Sequence, residues 1–174
     1  EAVKPSDAAT FTSIGAHGVY ESQRAILRDA AAAGQSVLIL EDDCAFVPDI
    51  ATRRIDTGWD IFYGGYLATS SADLHQSDIV GAHMMGFSVE GARAVSEYLE
   101  ELGRNGAPTA DGIHPPIDAV YVWFRRANPE IATAFAIPPL AGQRASRSDI
   151  ADLRWFDRVP LLRSIANKFR RWRA

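Results

Sequence analysis

Val37-Leu38-Ile39-Leu40-Glu41-Asp42-Asp43 decides the reading of the chain: four consecutive apolar residues run directly into three acidic ones. An apolar run this short fits a strand covered on both faces, as in a parallel or mixed sheet packed between helices. Open α/β sheets bind their ligands beyond the carboxyl ends of the strands, which is where the three carboxylates fall. Adjacent carboxylates repel, and each raises its neighbours' pKa unless a cation is close. Hard divalent cations such as Mg²⁺ and Mn²⁺ favour this oxygen-rich setting. The plainer reading is a polar strand end with solvated acids and a helix cap for the next segment. Both stay open on these residues alone.

Outward from this run, helix and strand signals alternate. Upstream, residues 17–33 carry Val19, Tyr20, Gln23, Ile26, Ala30 and Ala33 at helical spacing, with Gly34 as a natural stop. Downstream, Ile61-Phe62-Tyr63 predicts a second strand closed by Gly64-Gly65, and residues 79–87 a third. Ser88 is then placed to cap a helix with Ala92, Val95, Leu99 and Leu102 on its apolar face, ended by Gly103. Residues 103–116 read as a loop. Pro116 opens a helix over Ile117–Arg126, and Ile131–Ile137 reads as a last strand before Pro138-Pro139. Interleaved strands and helices predict an α/β fold with a central sheet.

A chain of 174 residues with 47% hydrophobic and 23% charged content suits one globular body rather than a disordered chain. A single cysteine, Cys44, excludes a disulfide framework and a Cys-rich zinc module; small core packing is its expected role. The apolar stretches Ile79–Val89 and Ile131–Gly142 are too short and interrupted to span a bilayer, and residues 1–16 lack the pattern of a signal peptide. The net charge of −4 is unevenly spread. Residues 1–150 hold 11 basic against 20 acidic side chains, whereas residues 151–174 hold 7 against 2. The acidic body argues against a nucleic-acid-binding face.

The expected division is therefore an α/β domain over 1–150 and a basic amphipathic tail over 151–174. Within the tail, residues 153–173 mix Trp155, Phe156, Ile165, Phe169 and Trp172 with seven basic residues. That composition suits an anionic membrane surface or a helix packed on the acidic body, and co-sedimentation with anionic vesicles separates the two.

Several further residues bear chemistry. His83 sits in an apolar strand, where a satisfied semi-buried imidazole is the ordinary reading and completion of a carboxylate-bound metal site the functional one. Asp118 opens a helix, where capping competes with a role as general base. Gly64-Gly65 either admit a ligand close to the backbone or make a turn. His17, His75 and His114 have no spacing that favours a ligand role.

Taken in order, these segments resemble the family 25 glycosyltransferases, which include bacterial enzymes of lipopolysaccharide and lipooligosaccharide biosynthesis. Gly15-Ala16-His17-Gly18 through Ser22 is similar to the family's first helix start, and Val37–Asp43 resembles its Leu-Ile-Leu-Glu-Asp-Asp signature. Trp59-Asp60-Ile61 with Gly64 and Gly65 resembles its second strand. Ala82-His83, Phe87-Ser88 and Gly91-Ala92 resemble its His-Ala-Tyr-x-x-Ser-x-x-Gly-Ala segment. Pro116-Ile117-Asp118, Pro138-Pro139-Leu140, Gln143 and Ser148-Asp149-Ile150 complete the order, so that the likeness covers residues 11–150.

The resemblance implies a GT-A-like, Rossmann-like sheet flanked by helices and the transfer of a hexose from a nucleotide sugar to a saccharide acceptor. It implies a divalent metal, Mn²⁺ or Mg²⁺, held by Asp43 with Asp42 and His83 as further contacts. Glu41, Asp42, Gly64, Gly65 and Gln143 are implied on the substrate side, and Asp118 as the base. The chain departs from the family at Val19 and Gln23, where Cys and His are usual. The N-terminal portion that grips the nucleobase has no counterpart, so the expected sheet is shortened on that side. A lipid-linked acceptor implies a cytoplasmic protein, peripheral on the inner membrane. The competing expectations are a truncated, non-catalytic, membrane-associated binding module and a metal-dependent phosphoester hydrolase.

Overall fold

The computed structural model describes residues 2–144; the 151–174 tail, and with it the amphipathic stretch 153–173, lies outside them. The architecture is mixed α/β. Three helices, α1 (Ile14–Ala33), α2 (Val89–Asn105) and α3 (Ile117–Ala127), accompany strands β1 (Val37–Leu40), β2 (Cys44–Phe46), β3 (Ile61–Ala68), β4 (Ile79–Phe87), β5 (Thr133–Phe135) and β6 (Ala141–Gln143). A four-stranded mixed sheet runs in the order β1-β4-β3-β5, and β2 and β6 form a separate antiparallel pair. β4 is antiparallel to both β1 and β3, and only β3–β5 is parallel.

The main core lies between the helices and one face of this sheet. Ile39, Ile61, Tyr63, Met85 and Phe87 meet Tyr20 and Leu27 of α1, Val95 and Leu99 of α2, and Val120, Tyr121 and Phe124 of α3. Two tyrosine hydroxyls bind the helices together: Tyr20 donates to the Leu99 carbonyl at 2.6 Å, and Tyr121 donates to the Gln23 side chain. A smaller cluster of Phe62, Met84, Leu140 and Ala141 covers the opposite face, with Cys44, Ile50 and Trp59 packed against it.

The caps follow ordinary hydrogen-bond chemistry. Ser13 starts α1 by accepting from the Ala16 amide at 3.0 Å, one turn earlier than the apolar spacing predicts. Its buried face carries Leu27, while Ile26 points outward. Ser88 caps α2 as expected, accepting from the Gly91 amide and donating to Asp60. The other oxygen of Asp60 accepts from the Ala132 amide at 3.0 Å, so one carboxylate joins the start of β3, the start of α2 and the approach to β5.

Four expectations need correction. β1 is an edge strand of the sheet: Ile39 is buried, but Leu38 and Leu40 are 49% and 45% exposed, so only one face is covered. Gly64-Gly65 do not close the second strand but lie inside β3, which continues to Ala68 through register irregularities around Gly65. Gly103 does not stop α2, which runs to Asn105 and gives way at Gly106 with φ of 80°. The last expected strand shrinks from Ile131–Ile137 to Thr133–Phe135, since only those residues pair with β3.

The same substitution at two glycines of α2 should have opposite effects. A Cβ on Gly91 would stand 2.0 Å from the Asp60 carbonyl oxygen, whereas one on Gly103 meets nothing nearer than Tyr20 Oη at 3.8 Å. Gly91→Ala should therefore lose about 2–3 kcal/mol to overpacking. Gly103→Ala should gain about 0.5–1 kcal/mol from helix propensity. Urea midpoints of the two variants against the wild type provide the measurement.

Candidate active site

β1 ends where the acids begin. The Glu41 amide continues the ladder by donating to the His83 carbonyl at 3.1 Å, and the Cys44 amide donates to the Glu41 carbonyl at 3.0 Å. That second bond closes a tight turn, placing Asp42 and Asp43 at its two central positions. Asp42 points outward. Asp43 points inward and is only 9% exposed. Its Oδ2 accepts from Gln143 Nε2 at 2.7 Å, while Oδ1 is buried without a partner. The pairing of β2 with β6 sets Cys44 opposite Gln143 and thereby brings that amide to the turn.

His83 lies behind the turn and is 1% exposed. Its Nε2 is 3.2 Å from the Ala141 carbonyl oxygen. A carbonyl only accepts, so Nε2 carries the proton and Nδ1 is left as a lone-pair acceptor. Nδ1 is buried and has no partner. Burial holds the imidazole below its ordinary pKa of 6.5, against the opposing influence of the Ala141 bond and the Asp43 charge. The neutral ring is therefore the resting form.

The room for this ring comes from glycine. A Cβ on Gly65 would stand 2.5 Å from His83 Cδ2, and one on Gly81 would stand 3.0 Å from Nδ1. Gly64 makes similar room for Met84, with 2.7 Å from a Cβ to its sulfur. These glycines admit neighbouring side chains of the protein and form no turn. Gly81, with φ of 84°, also donates its amide to Asp118 Oδ2 at 2.8 Å. Asp118 Oδ1 accepts from the Ala119 amide at 2.9 Å, so it bonds within the first turn of α3, where the helix dipole favours a carboxylate; the N-cap itself is Pro116, which offers no side-chain cap. Burial raises its pKa, and the amides it accepts from pull it back.

The structure thus gathers Glu41, Asp43, His83 and Asp118 around the end of β1, with Gln143 bound to Asp43 and Gly65 beneath the ring. Glu41 registers this crowding most strongly. Burial, then the charges of Asp43, Asp118 and Asp42, raise its carboxyl from 4.5 to about 7. Among the described residues no group of three or more His, Cys, Asp or Glu side chains stands close enough to hold a metal ion by itself. Sequence reasoning missed Gly81, although a lone glycine in an apolar strand is a signal of close backbone approach. It also missed β2 and β6, which deliver Gln143 and the Ala141 carbonyl.

Comparison of the chain with models of known protein families, with curated proteins and with solved structures finds no match in any of the three.

Glu41 offers a test of that geometry. A raised pKa means that the folded state holds the proton more tightly, so Glu41 favours folding below about pH 4.5 and loses that contribution as pH rises through about 7. Glu41→Gln stays neutral throughout. It should be more stable than the wild type at about pH 9, by on the order of 3 kcal/mol at ~1.4 kcal/mol per pKa unit, and gain little at about pH 5. His83 works in the opposite direction, its contribution being lost as pH falls below 6.5, but it is common to both proteins and drops out of their difference. Urea unfolding at the two pH values reads the effect.

Proposed function

We propose that the chain is a metal-dependent glycosyltransferase of the family 25 type, with a GT-A-like sheet, transferring a hexose from a nucleotide sugar to a cell-envelope saccharide such as lipopolysaccharide. The observation that carries this reading is a pair of buried, unpartnered acceptors at one acidic strand end: Asp43 Oδ1 and His83 Nδ1. Buried acceptors of this kind are rare unless a cation or donor satisfies them. The donor set, one carboxylate oxygen and one neutral imidazole with its other nitrogen fixed on a carbonyl, suits a divalent ion. A small cation such as Mg²⁺ commonly takes one or two protein carboxylates and completes its shell with water and substrate phosphates. That mode requires no three-ligand protein cage, and among the described residues there is none.

In this reading Asp43 and His83 hold the ion, with Asp42 at the outer side of the turn. When bound, the ion would supply Lewis-acid stabilisation of the charge developing on the leaving diphosphate. Glu41 contributes negative charge that a bound cation would offset, and Gln143 holds Asp43 in orientation through the 2.7 Å bond. Gly65 acts by admitting the His83 ring, and Gly64 by admitting Met84 beside it. Asp118 serves as base toward the acceptor hydroxyl. Its burial raises its proton affinity, and each of its oxygens keeps a lone pair beyond the amide it binds. Among the described residues no helix is long and apolar enough to cross a membrane. Attachment to the cytoplasmic face of the inner membrane through 153–173 belongs to the same proposal.

Two substitutions separate the roles. Asp43→Asn should leave the fold intact and abolish the Mn²⁺-dependent part of nucleoside diphosphate binding in a calorimetric titration; an unchanged titration removes the metal assignment. Asp118→Asn should lower turnover by about 10²-fold or more while donor affinity changes little, because a base acts in the transition state. Wild-type turnover in that variant would return Asp118 to capping alone. Turnover is measured as release of nucleoside diphosphate across a panel of nucleotide sugars.

A further inference from the structure

At the other end of α3 from Asp118, Arg125 is only 4% exposed. Its guanidinium lies over the rings of Tyr63 and Phe135, 5.5 and 5.4 Å from their centroids. Nη2 donates to the Ser77 carbonyl at 2.7 Å, while Nε and Nη1 are buried with no hydrogen-bond partner in good geometry; the Tyr63 hydroxyl and the Asp78 carboxylate act on the charge from nearby. Among the described residues no carboxylate pairs with it, although its neighbour Arg126 pairs with Asp78 at 2.9 Å. A buried cation without a counter-charge is destabilising, and stacking on two rings offsets only part of that cost.

Arg125 lines a cleft of about 400 Å³, together with Arg126, His75, Gln76, Trp59 and Ile131. Three of these side chains are basic or become so on protonation, and the single acid on the wall is Asp56. The loop that carries His75 is well tied: Asp73 Oδ1 accepts from the amides of His75 and Gln76, and Ser77 Oγ donates to the carbonyls of Ser70 and Asp73. The volume suits a small organic molecule better than a bare ion. Trp59 adds a flat apolar wall, its indole N–H donating to the Asp56 carbonyl at 2.6 Å.

We propose that this cleft is an anion-binding site, taking a small organic ligand through a phosphoryl or carboxylate group whose charge is balanced by Arg125. It is separate from the acidic turn. Asp118 and Arg125 are seven residues apart on one helix, about 10 Å along its axis, so either site stands or falls without the other. The ligand supplies the direct ion-pair partner that Arg125 lacks, Asp78 being engaged by Arg126, and the ring of Trp59 covers its apolar part.

The Trp59 indole signal in a ¹H–¹⁵N spectrum of the full chain, assigned with Trp59→Phe, reports on the cleft. Inorganic phosphate, glucose 6-phosphate, glucuronate and neutral glucose are titrated at constant ionic strength with chloride. The expected result is a saturable shift with glucose 6-phosphate, with glucuronate, or with both, and none with glucose. Which anion binds identifies the phosphoryl or the carboxylate source. Saturation by inorganic phosphate but by neither organic anion overturns the proposal, because the cleft then excludes the organic part. No saturable shift with any anion, or an equal shift with glucose, overturns the proposal. Arg125→Lys should weaken binding at least tenfold, because a point charge replaces the planar fork. Should that buried variant fail to fold, His75→Glu, on the exposed rim, should weaken binding severalfold by repulsion. Wild-type affinity in either folded variant overturns the proposal as well.

Discussion

The imidazole of His83 fits the molecule only because two glycines flank it, and much of the rest hangs on that fit. Gly65 and Gly81 leave the space, and Nε2–H reaches the Ala141 carbonyl. That bond ties the four-stranded sheet to the β2–β6 pair, and the same pair presents Gln143 to Asp43. A side chain on either glycine would push the ring off its carbonyl. The acidic turn would then lose its registration with the sheet behind it. A chain of small spatial permissions thus fixes where the carboxylates stand.

Those carboxylates are held together against their own electrostatics. Glu41 is brought to a pKa of about 7 by burial and by the charges of Asp43, Asp118 and Asp42. A fold selected for stability alone has no reason to keep an unpartnered buried Asp43 Oδ1 next to such a group, since either one can be relieved by a neutral side chain. Local conflict of this type concentrates where a protein binds something. Arg125 presents the mirror image, a buried positive charge over aromatic rings with no carboxylate paired to it directly. The two lie at opposite ends of one helix, so α3 separates an electron-rich pole from an electron-poor one.

Long-period features were legible in the chain. The α2 face, the Ser88 cap, the 79–87 strand and the apolar run before the acids follow from spacing and hydrogen-bond chemistry, whereas the α1 face was only partly legible, Leu27 being buried and Ile26 exposed. The sheet edge was not. Val37–Leu40 reads identically whether one face or two are covered, because exposure of Leu38 and Leu40 depends on what the rest of the chain leaves uncovered. Gly64-Gly65 were read as punctuation since glycine usually ends strands, yet here it makes room for His83 and Met84. β2 and β6, at three residues each, are too short to carry a period. In the site, Glu41, Asp43, His83 and Asp118 each drew attention separately. Their meeting depends on contacts such as Gly81 to Asp118, 37 residues apart, which no local pattern encodes.

The open side of β1 has a consequence for how copies of this chain behave toward one another. Among the described residues no strand pairs with its outer edge, and its exposed leucines offer a greasy template for strand addition. Neither lysine nor proline interrupts Val37–Leu40. In their place stands Glu41-Asp42-Asp43, immediately after the last residue of the strand. Two copies meeting edge to edge in parallel register would bring six carboxylates together, and the repulsion would drive them apart. The acids gathered at the end of β1 therefore also act as gatekeepers against self-assembly, and neutralising them for one purpose weakens the other.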